Sequence, residues 1–181
     1  MILLTVVLFL LMLGGAVLYG LFKISILYTL TVTFGVTFYH FIMRLAVGTV
    51  FDKIFHNRID YTKKWFQEKP FEKGLYRFLK VHAWKRFLPT FSPETFDAKT
   101  KTVEELLGAT CQAELVHETI AVLSFAPIPL FLVFGSLPAF LITSFCAAGI
   151  DLIFVILQRY NRPRLLKLKM RKLSKIIRTR F

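Results

Sequence analysis

Four apolar runs, residues 1–22, 24–50, 108–134 and 138–158, constrain this chain more than any other feature. Each is long enough to cross a bilayer as a helix rising about 1.5 Å per residue. Within hydrocarbon a backbone must satisfy its own hydrogen bonds, so the runs are expected as transmembrane helices. The 181 residues are 55% hydrophobic and include 20 phenylalanines, and the mean hydropathy is +0.58, too apolar for an ordinary water-soluble domain. The expected fold class is an all-α integral membrane protein forming a single membrane domain over 1–181. It has four transmembrane helices, an interfacial or cytoplasmic helical segment at 51–107 and a basic amphipathic C-terminal helix at 159–181.

The first run has no Lys or Arg before Lys23 and no clean cleavage site, so it is expected as a retained helix rather than a signal peptide. Gly14 and Gly15 form a thin patch suited to close packing against a neighbour. Pro127 and Pro129 are expected to kink or break the third run. Cys111 and Cys146 lack metal-ligand spacing and are expected as buried thiols.

Charge sets the expected orientation. The formal net charge is +13, and 22 of the 24 Lys and Arg residues lie in 52–107 and 158–181. The positive-inside rule places the large loop and both termini in the cytoplasm, with the protein as a multi-pass component of the cell membrane. The loop interleaves aromatic rings with its charges, a mixture suited to the headgroup region. Pro70, Gly74, Pro89 and Pro93 punctuate it into short helices, and its last helix is expected to start after Thr100 or Thr102 with Glu104 and Glu105 in the first turn. In the tail, Leu166, Met170, Leu173 and Ile177 recur at helical spacing along a basic helix, the pattern of a helix lying on anionic lipid. Nucleic acid is not an expected partner, because the positive charge already faces the membrane.

Ionisable residues inside apolar runs are costly and mark sites. Glu114, His117 and Glu118 enter the third run, His40 and Arg44 sit in the second, and Asp151 in the fourth. His40, His117 and Asp151 fall roughly 10–14 Å from the expected cytoplasmic boundary, so one polar chamber is a reasonable expectation. The blander alternatives are separate packing polars, a His40 buried without chemistry, and an Arg44 that snorkels to the interface. Histidine is the usual base for taking a hydroxyl proton, and a carboxylate one turn away can fix its tautomer. His117 with Glu114 and Glu118 therefore reads as a catalytic set for acyl transfer. Gln158, Arg159, Tyr160, Asn161, Arg162 and Arg164 are suited to an oxyanion or to an acyl donor's phosphates. Pro163 is expected to end the fourth helix just before it, turning Tyr160 to Arg162 back under the membrane. No phosphate-binding loop, dinucleotide fingerprint, GxSxG or HExxH occurs, and a lone Glu-x-x-His does not build a two-metal site. No cofactor and no metal are expected.

Three blocks resemble a known family. Gln158-Arg159-Tyr160-Asn161-Arg162-Pro163-Arg164-Leu165 is similar to the terminal motif of the glycosyl-4,4'-diaponeurosporenoate acyltransferases, small bacterial membrane enzymes that esterify a glucosylated carotenoid acid. Thr110-Cys111-Gln112-Ala113-Glu114-Leu115-Val116-His117 resembles the family's Thr-Cys-Arg-Ala-Glu-Leu-x-His. Glu72-Lys73-Gly74-Leu75-Tyr76, followed by Trp84-Lys85-Arg86-Phe87-Leu88-Pro89, resembles its loop pattern. The resemblance spans roughly residues 50–165. It implies a fatty acyl donor such as acyl-CoA and, as acceptor, a hydroxyl on a lipid-linked sugar. It adds Trp84 and Lys85 to the matched polar positions. Gln112 departs from the family's Arg, Glu118 stands where an aromatic is usual, and Asp151 is unexpected. Competing readings are a non-catalytic membrane module that binds anionic lipid or a partner enzyme through its basic face, and another lipid-modifying enzyme using the same histidine.

Overall fold

The computed structural model describes residues 1–88, 93–97 and 100–178, and no strand occurs among them. Its helices are α1 (Ile2–Phe22), α2 (Ser25–Phe55), α3 (Glu72–Phe78), α4 (Val81–Trp84), α5 (Val103–Leu123), α6 (Phe131–Phe134) and α7 (Leu137–Arg178). Short 3₁₀ turns stand at Lys64–Phe66, Lys85–Phe87, Pro93–Phe96 and Ile128–Leu130. Four stretches are long and apolar enough to cross a membrane: Ile2–Phe22, Ser25–Phe55, Val103–Phe134 and Leu137–Lys175. The fold is thus all-helical with four helices of membrane-spanning length, as the apolar runs imply. Pro89, part of the loop pattern, lies outside the described residues.

The chain divides into two compact units. One holds Met1–Val50 and Glu118–Leu152, the other Phe51–His117 and Ile153–Phe181.

In the first unit, α1 ends at Lys23, whose left-handed backbone lets its N–H reach the Tyr19 carbonyl at 2.9 Å. Gly15 meets Thr31 so closely that a Cβ would lie 2.6 Å from the threonine hydroxyl, whereas Gly14 has open space. The packing expected of both glycines therefore belongs to Gly15 alone. Along α2 the hydroxyls of Thr29, Thr31, Thr33 and Thr37 return to the carbonyl four residues back, so none of these hydroxyls is left unmet on an apolar helix. Val32, Val36 and Phe140 form the buried core. The third apolar run breaks after Leu123, where the helix gives way to turns ahead of Pro127 and Pro129. Two tyrosines on α2 serve the broken ends: Tyr39 donates to the Leu123 carbonyl at 3.0 Å and Tyr28 to the Phe134 carbonyl at 2.9 Å. Cys111 is buried as expected but Cys146 is exposed. On an apolar helix the outward face needs no polar cover when lipid surrounds it, so burial within the protein does not follow from hydrophobicity there.

In the second unit, α5 starts with a reciprocal cap. The Thr102 N–H donates to Glu105 at 2.7 Å and the Glu105 N–H donates to the Thr102 hydroxyl at 3.2 Å. Ahead of it, His56 and Asn57 take left-handed backbone conformations. Gly108 of α5 packs so tightly on this turn that a Cβ would lie 2.6 Å from the Asn57 carbonyl. Ile59, Phe66 and Cys111 form a buried apolar cluster beside it.

The expectation for Pro163 is corrected. α7 runs through it without interruption to Arg178, and the basic tail continues the fourth long helix. Pro163 forfeits the bond its own N–H would make to the Arg159 carbonyl, and its ring crowds that carbonyl. Two side chains in the turn just before it, Arg159 and Arg162, are each tied by several hydrogen bonds to other elements of the same unit, which offsets that cost. Met170, Leu173 and Ile177 of the tail stripe are exposed.

Candidate functional site

The terminal motif and the two upstream blocks meet in the second unit as one buried polar cluster. Glu72, Glu114 and Arg162 are almost completely buried, at 3%, 0% and 2% exposure. One Glu114 oxygen accepts from Arg159 and the other from Arg162. Arg159 also grips Glu72 through Nε at 2.8 Å and Nη2 at 2.6 Å, and donates to the Trp65 and Gln67 carbonyls at 3.2 and 3.3 Å. Those bonds use the five N–H donors a guanidinium possesses. Arg162 donates to the Phe66 carbonyl at 3.1 Å and to the Thr110 carbonyl at 3.2 Å, and its charge lies over the Phe66 ring. Tyr76 completes the cluster by donating to the second Glu72 oxygen at 2.7 Å. Burial, and then this bond to a carboxylate, push the Tyr76 phenol well above its ordinary range.

The local sequence explains the arrangement. Arg159 and Arg162 are three apart on α7, so they leave the helix on one side. Glu72 and Tyr76 are four apart on α3 and face the same way. Thr110 and Glu114 stand in the same relation on α5. The Glu-x-Gly-x-Tyr spacing is therefore the sequence signal for Glu72 and Tyr76, neither of which the sequence reading had placed in the site.

The remaining expected site residues take distinct places. Tyr160 lies between the charges of Arg164, at 4.1 Å from its ring centre, and Lys85, at 5.2 Å, with Tyr76 edge-on at 5.3 Å. Lys85 also reaches the Asn161 side-chain oxygen at 3.4 Å. Burial and then the Arg164 charge hold its ammonium below the usual lysine range. Trp84 is half-buried and donates to the Leu79 carbonyl at 2.7 Å, while Gln158 is buried. His117 stacks face to face on Phe154, with ring centres 4.8 Å apart. Glu114, expected to steady His117, instead has both oxygens engaged by arginines. Arg159 and Arg162, expected to face a ligand, direct their donors to protein acceptors.

His40, Arg44, Glu118 and Asp151 belong to the first unit. Arg44 pairs with Asp151 and donates to the Ala147 carbonyl at 3.1 Å, so it does not snorkel outward. His40 is buried, and neither of its ring nitrogens has a hydrogen-bond partner among the described residues. The departure at Gln112 has a local reason. Its side-chain oxygen accepts the Asn57 N–H at 2.7 Å, a role the family's arginine has no acceptor to fill.

Two grooves open beside the cluster. The smaller, of about 230 Å³, is walled by Phe66, Glu72, Arg159 and Arg162. The larger, of about 450 Å³, is lined by Tyr76, Tyr160, His82 of α4 and Lys and Arg side chains from α3, α7 and the corner at Lys80. Sequence reasoning stopped at Arg164 and missed the upstream half of that basic lining, because Arg77, Lys80 and His82 fall between the quoted motifs and Lys73 occupies a variable position of one.

Among curated proteins and among solved structures, none matches the chain. The family model described as glycosyl-4,4'-diaponeurosporenoate acyltransferase matches residues 62–171, a stretch that holds every side chain of the buried cluster. More than half of the sequence lies within that match, and the chain belongs to the glycosyl-4,4'-diaponeurosporenoate acyltransferase family.

Proposed function

We propose that this protein is an integral-membrane O-acyltransferase that moves a fatty acyl group onto a hydroxyl of a glycosylated lipid, such as a carotenoid glycoside. The observation that carries the reading is the family match, whose residues 62–171 contain the buried cluster of Glu72, Tyr76, Glu114, Arg159 and Arg162. A cluster so fully paired is suited to holding α3, α5 and α7 in register rather than to binding a ligand. The groups left for chemistry are those around it: His117 as the proton acceptor, Tyr160 and Arg164 along the larger groove, and Lys85 beside Tyr160 and Asn161.

In the reaction, the sugar hydroxyl attacks the donor's acyl carbonyl. His117 takes the hydroxyl proton as the C–O bond forms, and returns it to the leaving group as the donor's acyl bond breaks. A nearby cation stabilises the oxyanion in between. The four apolar helices would hold the protein in the cell membrane, and the positive-inside rule would set the basic segment and both termini in the cytoplasm, where an activated acyl donor is available.

The test compares lipid extracts by mass spectrometry from cells with the intact protein, with His117→Ala and without either. The expected result is a glycolipid that gains a fatty-acyl mass only with the intact protein. An unchanged profile would favour a non-catalytic membrane module, and acylation that survives His117→Ala would remove that residue from the mechanism.

A further inference from the structure

The larger groove carries charge that the acyl acceptor cannot use. Lys73 and Arg77 of α3, Lys80 after it, His82 of α4, and Arg164 and Lys167 of α7 line its 450 Å³. The one carboxylate in the lining is Glu68, which Lys73 meets at 3.6 Å. Arg77, Lys80, His82 and Lys167 have no ion pair among the described residues. Lys80 takes a left-handed backbone conformation, φ 49°, which is unfavourable for a lysine and places it at the corner between α3 and α4.

Concentrated like charge repels itself, and a groove lined this way is stabilised by an anion that enters it. A glycosylated lipid with neutral sugar hydroxyls offers no such anion. The other participant in acyl transfer is the activated donor. On the acyltransferase reading above, we infer that this groove holds the phosphates of the donor's handle, and that the donor is an acyl thioester of a nucleotide carrying several phosphate groups. Five Lys and Arg side chains exceed what a single phosphodiester needs, and their placement on α3, on α7 and at the Lys80 corner matches phosphates placed apart on one molecule. The reaction then balances simply: the ester C–O bond forms, the thioester C–S bond breaks, and the hydroxyl proton ends on the released thiol.

The test uses the full chain in nanodiscs of zwitterionic lipid, with coenzyme A as the probe. Arg77→Gln, Lys80→Gly and Lys167→Gln together should weaken binding at least about tenfold and flatten its salt dependence. Arg171→Gln on the tail should leave both unchanged. Dephospho-coenzyme A should bind more weakly than coenzyme A, and pantetheine not measurably. Equal affinity in the triple variant, or equal binding of pantetheine, would overturn the inference. Displacement of coenzyme A by phosphatidylglycerol in the disc would overturn it too, assigning the groove to a lipid headgroup. Acylation that proceeds from a phospholipid or a carrier-protein thioester, without coenzyme A binding, would overturn the groove assignment while leaving the acyltransferase reading intact. Variant-sensitive coenzyme A binding in a protein that acylates no glycolipid would support the groove and reject that reading.

Discussion

Arg162 reaches Glu114 across 48 residues of sequence, and both side chains are almost wholly removed from solvent. Arg159 takes the other oxygen of the same carboxylate, so one glutamate answers two guanidinium charges. Such a group is not free to fine-tune a base, because any change in its charge strands the buried Arg162 and leaves Arg159 to Glu72 alone.

Arg162→Ala should therefore be costly, about 3–5 kcal/mol, as expected when one member of a buried ion pair is removed. Arg162→Lys should recover only part of the loss, since an ammonium cannot span Glu114, Phe66 and Thr110 at once. Thermal stability in detergent, followed by size-exclusion chromatography, checks the order. A Lys variant as stable as the intact protein would show that the carbonyl contacts do not matter.

Gln112→Leu should lose about 1–3 kcal/mol by leaving the Asn57 N–H without its acceptor. Gln112→Glu retains an acceptor and should cost less. The same unfolding measurement separates them, and equal losses would show that the bond to Asn57 is not the source.

Gly108→Ala forces a methyl against the Asn57 backbone carbonyl and should destabilise by about 1–3 kcal/mol. Gly14→Ala meets open space inside a helix and should be neutral or gain up to about 1 kcal/mol. A reversed ranking would contradict the packing of α5 on the turn at Asn57.

Tyr76 should resist ionisation. Its folded pKa lies above the ordinary 10.0 because burial, and then the bond to Glu72, disfavour the phenolate. A group whose pKa rises on folding contributes stability that is fully present below the unfolded value and is lost as pH climbs towards the folded one. An ultraviolet phenolate titration should show a late-titrating component that is reduced in Tyr76→Phe. If the late-titrating component is unchanged in Tyr76→Phe, the buried bond to Glu72 is not formed in solution.

Asp151→Asn should leave Arg44 charged without its carboxylate, at a cost on the order of 3 kcal/mol. Replacing both, with Arg44→Met and Asp151→Leu, should cost less than either single change. A double variant as unstable as the sum of the singles would mean that the two do not depend on each other.

The helices were legible because hydrocarbon leaves a backbone few choices, so apolar length alone identifies α1, α2, α5 and α7. The polar residues of the terminal motif were legible as a group for the same reason, since charge beside an apolar run needs an explanation. Their assignments were not. Whether Glu114 serves His117 or two arginines depends on α7 arriving beside α5, and no local pattern in either helix reports that. Pro163 misled because the rule for proline is local, whereas the bonds that carry α7 through it come from Trp65, Phe66, Glu72 and Glu114 elsewhere in the chain. Gln112 read as a departure from a motif until its partner, Asn57, was seen to need an acceptor.

The two tyrosine hydroxyls that close the carbonyls of Leu123 and Phe134 change what the interrupted third run can be. In a bilayer, an open helix end normally draws water to its bare carbonyls. With Tyr39 and Tyr28 supplying those bonds from α2, the stretch between them can stay dry, and its insulation rests on two phenol groups more than on its own length.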